Sequence, residues 1–221
     1  MFWVSTQVIS KVYSTKYKKT EGFLLSDPQF QKLIQSFSSL PGIGKKSATR
    51  IGFHILRMDP TSFQSWIDNI EEAKTKLRFC DECGGLTEEP ICSICLSDRR
   101  ENGILCVVEQ PEDIFFIENT KEYSGKYHVL NGAISPLDGI GPEQLRIKQL
   151  MNRLDSGQIN EVLIATNPTL EGDATASYLS TVIKPMDIKI TRIAHGITIG
   201  GTLEYSDQYT LGKAIKSRLT L

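Results

Sequence analysis

The sequence predicts an α/β protein, with a small helical domain in front of a mostly parallel sheet. From Asn102 onward, apolar runs of strand length alternate with helical patterns, which is typical of a sheet buried on both faces. Earlier in the chain, a glycine-containing turn at residues 40–48 separates two amphipathic helical patterns. Between these regions, four cysteines fall within sixteen residues. We therefore expect three structural parts in this order.

The composition indicates a globular chain with a basic start. The 221 residues are 40% apolar, which suffices for one large or two modest domains. The net charge of −1 hides an asymmetry, because residues 1–60 carry nine lysine and arginine side chains against three acidic ones. A basic amino-terminal part suits a polyanionic partner, whereas the remainder of the chain does not.

Residues 1–25 are basic and rich in serine and threonine, without the apolar core of a secretory signal. We interpret them as a disordered extension rather than as an organelle-targeting peptide. No segment reaches the length of a membrane span, so a cytoplasmic setting without a membrane partner is the default expectation.

The glycine turn at residues 40–48 is predicted to bind a phosphate group with its backbone. Gly42 and Gly44 allow a tight turn, and the N–H groups that open the next helix form a partly positive anion site. Three neighbouring side chains add positive charge, namely Lys45, Lys46 and Arg50. The combination indicates a helix-hairpin-helix element that grips a nucleic-acid backbone without reading bases. An ordinary interhelical turn is the alternative, since Pro-Gly-x-Gly also serves that purpose.

Three helices are predicted in the helical domain, and each carries an apolar stripe assigned to the core. The first helix starts near Ser26, which with Gln29 can form a capping box, and Pro28 fits its first turn. The three stripes are Phe30, Leu33, Ile34 and Phe37; Ala48, Ile51, Phe53, Ile55 and Leu56; and Phe63, Trp66, Ile67, Ile70 and Leu77. His54 and His128 are expected to be packing residues rather than ligands.

The cysteine cluster consists of two C-x2-C pairs, Cys80 with Cys83 and Cys92 with Cys95. Each pair can turn both sulfurs toward one ion, and four thiolates around Zn²⁺ give a closed tetrahedral site with no position for substrate. Disulfides are the competing interpretation, but they are uncommon in a reducing cytoplasm. The spacing therefore predicts one structural zinc ion per chain. Cys106, inside the first long predicted strand, is expected to be a buried thiol outside this site.

Four buried strands are predicted in the carboxyl-terminal part, at residues 104–108, 127–130, 162–165 and 188–194, with helices between them. One of these helices is expected to begin at Pro142. Ligands of such sheets bind beyond the carboxyl ends of the strands, where Glu109 and Asn167 stand. His195, after the last strand, is the histidine best placed for function.

The chain resembles the RecR family of bacterial recombination mediator proteins, whose sheet is a Rossmann-like Toprim domain. The resemblance covers residues 24–219, and the stretches that carry it are LPGIGKKSATR at 40–50, the cysteine quartet, VVEQPED at 107–113, ATNPTLEGDATA at 165–176 and HGITIGGTLEYSDQYTL at 195–211. It implies five parts: an extension at 1–25, a helix-hairpin-helix domain at 26–78, a four-cysteine zinc finger at 79–101, a Toprim domain at 102–195 and a helical carboxyl-terminal segment at 196–221.

The family's hairpin motif implies that Lys46 and Arg50 bind DNA. We add Lys45 to these DNA-binding residues because of its charge, and Gly42 and Gly44 because of the turn that they allow. Catalytic Toprim domains need a Glu after the first strand and an Asp-x-Asp after the third, which together hold Mg²⁺.

Glu109 meets the first of these requirements, but the second position reads Asn167-Pro168-Thr169, and neutral oxygens hold Mg²⁺ poorly. The resemblance therefore implies a non-catalytic Toprim domain. Acids just beyond, at a helix start, commonly serve capping alone. The residues assigned to a vestigial or partner-facing site are Glu109, Asn167, Glu171 and Asp173.

The function implied by the resemblance is that of a DNA-binding mediator of recombinational repair, cytoplasmic and associated with the nucleoid. Its implied partners are single-stranded, double-stranded or junction DNA of any sequence, proteins of the RecO and RecF type, and further copies of the chain in a dimer or tetrameric ring that clamps DNA. With them it would load recombinase onto gapped DNA. Two alternatives stay open: a Mg²⁺-dependent Toprim nuclease or primase, and a zinc-containing adaptor without DNA affinity of its own.

Overall fold

A computed structural model of the chain describes residues 27–194, 196–197 and 200–218. The predicted extension at 1–25, the proposed cap Ser26 and His195 lie outside the described residues. The chain divides into two compact units, Met1–Thr75 and Lys76–Leu221. Within the described part, no helix is both long enough and apolar enough to cross a membrane.

Three helices build the described part of the amino-terminal unit: α1 (Pro28–Ser38), α2 (Lys45–Arg57) and α3 (Pro60–Lys76). Asp27 caps α1, because its carboxylate accepts the N–H groups of Gln29 at 2.9 Å and Phe30 at 3.0 Å. Pro28 takes the first helical position as predicted, where its missing N–H costs nothing.

The core of this unit lies between α1 and α2. Phe30, Ile34 and Ala48 are buried there, and Gly52 brings the two helices close, since a Cβ at this position would lie 2.9 Å from the Phe30 ring. The stripe of α1 therefore packs as predicted.

Much of the remaining apolar surface of the helices is exposed, so its assignment to the core was wrong. No described residue of α3 is buried, and Trp66 and Ile70 keep 37% and 48% of their surface accessible. Leu56 on α2 is 65% exposed. His54 is also exposed, which contradicts its prediction as a packing residue. Periodicity shows that one side of a helix is apolar, but it does not identify what covers that side.

The carboxyl-terminal unit contains the predicted parallel sheet, which confirms the α/β fold class. Its strands are β3 (Glu101–Val108), β4 (Gly125–Val129), β5 (Glu161–Ala165) and β6 (Lys189–Arg192), in the order β4-β3-β5-β6 with every neighbour parallel. The accompanying helices are α5 (Pro111–Thr120), α6 (Ile147–Leu154), α7 (Leu170–Ile183) and α8 (Gln208–Lys216).

Both faces of the sheet carry a core. One face packs against α6 and α7 through Leu105, Val107, Leu130, Leu145, Ile147, Leu150, Leu154, Val162, Ile164, Ala176, Leu179 and Ile183. The other packs against α5 through Cys106, Val108, Ile114, Tyr127 and Val129. Cys106 and His128 are fully buried, as expected from their strand positions.

The helix expected from Pro142 was placed too early. Residues Pro142–Gln144 form one 3₁₀ turn, the chain is then extended at Leu145, and α6 begins only at Ile147. Leu145 and Ile147 both reach the core. The extended residue between the 3₁₀ turn and α6 therefore leaves the predicted apolar residues packed against the same core.

The cysteine segment forms a small finger. Strands β1 (Arg78–Phe79) and β2 (Leu86–Thr87) pair antiparallel, and the short helix α4 (Ser93–Leu96) follows. Gly84, at φ +80°, makes the turn between the strands, and a Cβ there would lie 3.1 Å from the Val129 side chain. Glycine is therefore required at this position for both backbone angle and space.

Candidate functional site

The four cysteines of the finger converge on one point. Their sulfur atoms all lie within 4.8 Å of one another, and all four residues are buried. Among the described residues, this is the only group of three or more His, Cys, Asp or Glu side chains whose ligand atoms come together. Four sulfur donors from two short turns fit a closed tetrahedral zinc site.

Backbone N–H groups around the cysteines favour negatively charged sulfur. Gly85 donates to Cys83 Sγ at 3.3 Å, and Cys92 donates to Cys80 Sγ at 3.3 Å. The hydrogen bond from the Cys95 thiol, with that from Gly85, lowers the pKa of Cys83, whereas burial raises the pKa of Cys92. Cys83 is therefore the thiol of this pair that the surroundings favour as a thiolate, the form that binds a metal.

The finger is fastened to the sheet by several hydrogen bonds. The Cys83 carbonyl accepts the N–H of Val129 at 2.8 Å, and the Cys95 carbonyl accepts the Lys126 ammonium at 2.8 Å. Arg153 from α6 forms an ion pair with Glu82 at 2.8 Å. The carbonyls of both C-x2-C pairs are thus held by the strand at the sheet's edge.

The hairpin leaves the amino terminus of α2 open. Gly42 adopts φ +76°, and Gly44 occupies the N-cap position without a side chain to accept the first N–H groups. By contrast, α1, α3 and α8 each begin with an aspartate that accepts such groups, namely Asp27, Asp59 and Asp207. The first turn of α2 contains no acid. An external anion would therefore find free donors here.

Glu109 and Asn167 meet at the carboxyl ends of the two central strands, β3 and β5. The Asn167 backbone N–H donates to Glu109 Oε1 at 2.9 Å, and its side-chain amide donates to Oε2 at 2.7 Å. Glu109 is only 8% exposed, so its carboxylate depends on these bonds. Gly172 allows the backbone of Asn167 to lie close to the start of α7, since a Cβ at position 172 would lie 2.0 Å from the Asn167 carbonyl oxygen.

The two acids beyond this contact do not join it. Thr169, not an acid, caps α7 by accepting the Gly172 N–H at 3.0 Å. The Asp173 carboxylate instead accepts hydrogen bonds from three side chains: Tyr209 at 2.7 Å, Lys213 at 2.9 Å and Arg192 at 2.6 Å. These bonds, that from Tyr209 foremost, hold the pKa of Asp173 below its ordinary value. Asp173 therefore ties β6 and α8 to the start of α7.

A cavity of about 430 Å³ opens at the same end of the sheet. Its walls come from the ends of β5 and β6, from α5 and from α8, with Phe116, Asn167, Ile193 and Lys213 among the lining residues. The cavity thus lies beyond the carboxyl ends of the strands, where ligands of parallel sheets bind.

Comparison with known protein families assigns all three parts. Family profiles match residues 30–74 as the RecR helix-hairpin-helix, residues 77–97 as the RecR four-cysteine zinc finger domain and residues 103–194 as a Toprim domain. A protein named Recombination protein RecR from Streptomyces avermitilis is 50% identical over 191 residues, which are 86% of this chain and 96% of that protein.

The chain belongs to the RecR family. Two further proteins with the name Recombination protein RecR support the assignment. That from Bifidobacterium animalis subsp. lactis is 49% identical over 195 residues, with 88% of this chain and 98% of the relative covered. That from Acidothermus cellulolyticus is 49% identical over 191 residues, with 86% and 96% covered.

Membership of the RecR family confirms the zinc prediction. The family's four-cysteine zinc finger spans residues 77–97, and this range holds all four converging cysteines. The site is therefore compatible with one structural zinc ion per chain. Cys106 lies in β3 outside the finger, as expected.

In the Toprim domain, the structure adds two contacts to the sequence-based expectation, which only placed Glu109 and Asn167 at the carboxyl ends of their strands. Glu109 and Asn167 come together, whereas the Asp173 carboxylate binds Arg192, Tyr209 and Lys213 instead. The partners of Asp173 were missed. They lie 19, 36 and 40 residues away, and no spacing or periodic pattern links them.

Proposed function

We propose that the protein is a non-catalytic mediator of recombinational DNA repair that binds DNA without sequence preference. The observation that carries the proposal is the open amino terminus of α2, which places free N–H groups beside exposed basic side chains. Lys45, Lys46 and Arg50 are all exposed, and none forms an ion pair among the described residues. Such donors suit phosphate oxygens and carry no base information.

The strand-end contact supports the absence of Toprim catalysis. A catalytic Mg²⁺ needs several carboxylate oxygens that are free to bind it. Here both oxygens of Glu109 accept hydrogen bonds from an amide residue, and Asp173 is committed to three cationic or hydroxyl donors. For nuclease or primase chemistry, the hydrogen bonds to Glu109 and Asp173 would have to break before these carboxylates could bind Mg²⁺. Cleavage or synthesis that depended on Mg²⁺ and disappeared in Glu109→Gln would contradict the proposal.

The exposed apolar residues of the amino-terminal unit support self-association. Leu56 on α2 and Trp66 and Ile70 on α3 expose large apolar surfaces, which monomeric proteins seldom leave in water. We propose that copies of the chain meet through these helices in a dimer or tetrameric ring that clamps DNA. Several hairpins would then act together, so weak individual contacts would give a strong total affinity.

The proposed partners are proteins of the RecO and RecF type, which would act with the ring to load recombinase onto gapped, SSB-coated DNA. Glu109 and the loop from Asn167 to Asp173 are proposed to face either such a partner or the interior of the ring. The adjoining cavity at the strand ends gives this region the concave form that suits a bound group.

The DNA proposal is tested with the full chain by titrating a fluorescent oligonucleotide at several salt concentrations. The double variant Lys46→Ala/Arg50→Ala should weaken binding at least tenfold for every sequence and make the salt dependence shallower by about 2 in log–log slope. The matched control is Lys32→Ala/Lys74→Ala, which removes two exposed charges from α1 and α3. Equal affinity of the two double variants would refute the hairpin assignment.

Self-association is tested separately by measuring the mass in solution. Trp66→Glu/Ile70→Glu should reduce the oligomer to smaller species while keeping its zinc and its helical signal. A variant that kept the wild-type mass would contradict the proposed contact.

A further inference from the structure

The outer face of α2 carries a row of basic side chains along its entire length. Lys46, Arg50, His54 and Arg57 follow one another at spacings of four, four and three residues. At 3.6 residues per turn, these spacings place all four on one side of the helix. The buried residues of α2, Ala48 and Gly52, lie on the opposite side. The row therefore faces away from the core.

All four side chains of this row are exposed. Among the described residues, none of them forms an ion pair. A depression of about 400 Å³ runs beside the row and is lined by Ser47, Arg50, Ile51 and His54. The middle of the helix thus offers basic side chains beside a concave surface.

His54 and Arg57 could have a purely structural role in α2, which has to be distinguished from a role in binding. Basic side chains in the last turn stabilise a helix by interacting with its dipole, and His54 and Arg57 stand there. This role predicts an effect on helix stability only. It does not require the alignment of both residues with Lys46 and Arg50.

We infer that His54 and Arg57 extend the phosphate-binding surface from the hairpin along the whole outer face of α2. The inference rests on the proposed DNA binding. It adds that the bound DNA strand runs along the axis of α2 and does not contact the amino terminus of the helix alone. The row from Lys46 to Arg57 is about 16 Å long, at 1.5 Å per residue. That length can face more than one successive phosphate of a strand that follows the helix.

The test compares three double variants of the full chain in the oligonucleotide titration: His54→Ala/Arg57→Ala, Lys46→Ala/Arg50→Ala and the control Lys32→Ala/Lys74→Ala. We expect His54→Ala/Arg57→Ala to weaken binding by roughly three- to tenfold below 100 mM salt and to make the log–log salt slope shallower by about 1. A charged replacement, His54→Lys/Arg57→Lys, should restore the affinity.

Two outcomes would overturn the inference in different ways. If His54→Ala/Arg57→Ala binds like the control while Lys46→Ala/Arg50→Ala is impaired, the extended surface is refuted and the hairpin proposal stands. If neither variant binds more weakly than the control, both fail. Circular dichroism and thermal unfolding of each variant show whether α2 has been destabilised. If His54→Lys/Arg57→Lys does not restore the affinity, His54 and Arg57 act on the structure of α2 and not on DNA binding.

Discussion

Asn167 donates two hydrogen bonds to the carboxylate of Glu109, one from its backbone at 2.9 Å and one from its side-chain amide at 2.7 Å. The two residues close the carboxyl ends of adjacent parallel strands. In a catalytic Toprim domain a carboxylate would stand at position 167, and a metal ion would separate the two negative charges. Here a neutral residue donates directly to the buried carboxylate, so both Glu109 oxygens have a partner within the protein.

Replacing this amide by a carboxylate should therefore destabilise the fold. Asn167→Asp removes one donor and places two negative charges together, which we expect to lower the free energy of unfolding by about 1–3 kcal/mol. Urea denaturation with EDTA present measures the effect, and millimolar Mg²⁺ should recover part of the loss. Asn152→Asp, on the exposed side of α6, is the control and should change little. An Asn167→Asp protein as stable as the wild type would disprove the importance of the contact.

Removal of zinc should unfold more than the finger. Cys80→Ser leaves three thiolates, so we expect loss of stoichiometric zinc and faster proteolysis of the whole carboxyl-terminal unit, because metal binding supplies folding free energy. Zinc content by elemental analysis and limited proteolysis provide the two measurements. Cys106→Ala, which removes the buried thiol outside the site, should keep one zinc ion per chain. The prediction fails if Cys80→Ser retains full zinc and normal resistance.

The two hydrogen bonds that Tyr209 and Lys213 of α8 donate to Asp173 should control the attachment of this helix. None of the residues of α8 is buried, so the helix depends strongly on these polar contacts. Asp173→Asn should speed amide exchange in residues 203–218 while leaving β3 protected. Glu171→Gln is the matched control in the same helical turn. Equal exchange of α8 in both variants would argue against this role.

The same contacts predict how the attachment depends on acidity. Because the pKa of Asp173 is lowered in the folded state, its stabilising effect is fully present above the ordinary aspartate pKa of about 4. It is lost only as the pH falls below that value. We therefore expect the protection of α8 to be constant between pH 5 and pH 8 in hydrogen-exchange measurements. A decrease within that range would contradict the assignment.

His128 should make the carboxyl-terminal unit sensitive to mild acid. Its Nε2 lies 2.9 Å from the Arg146 carbonyl oxygen, and burial lowers its pKa to about 4. The stabilising effect of the neutral ring is complete above the unfolded pKa of about 6.5 and decreases as the pH falls toward 4. From pH 7 to pH 5 this amounts to about 2 kcal/mol of unfolding free energy.

Denaturation of His128→Gln at the two pH values tests the prediction, because this variant should show a pH dependence that is smaller by about that amount. The assignment is wrong if His128→Gln keeps the full pH dependence of the wild type.

The sheet and the zinc site could be predicted from the sequence because each has a local signature. Buried parallel strands are continuous apolar runs, such as the segment from Ile104 to Val108, and the C-x2-C spacing brings two sulfurs together within one turn. The contact between Glu109 and Asn167 was also within reach, since both follow buried strands.

Other features could not be predicted, because they depend on which elements meet in space. The apolar stripe of α3 has the period of a core helix, yet Trp66 remains exposed, since periodicity does not specify a partner. The bonds of Asp173 join three elements that are distant in the chain. Only the folded sheet brings Arg192 near the start of α7.

The fastening of the finger to β4 has a further consequence for solubility. β4 is the last strand on its side of the sheet, and two of its outward-facing backbone groups have partners: the Val129 N–H donates to the Cys83 carbonyl, and the Tyr127 carbonyl accepts Arg153 at 2.7 Å. Free groups on such a strand pair readily with strands of other molecules. The finger thus also shields an edge that could otherwise seed aggregation, and a chain deprived of zinc would present it to its neighbours.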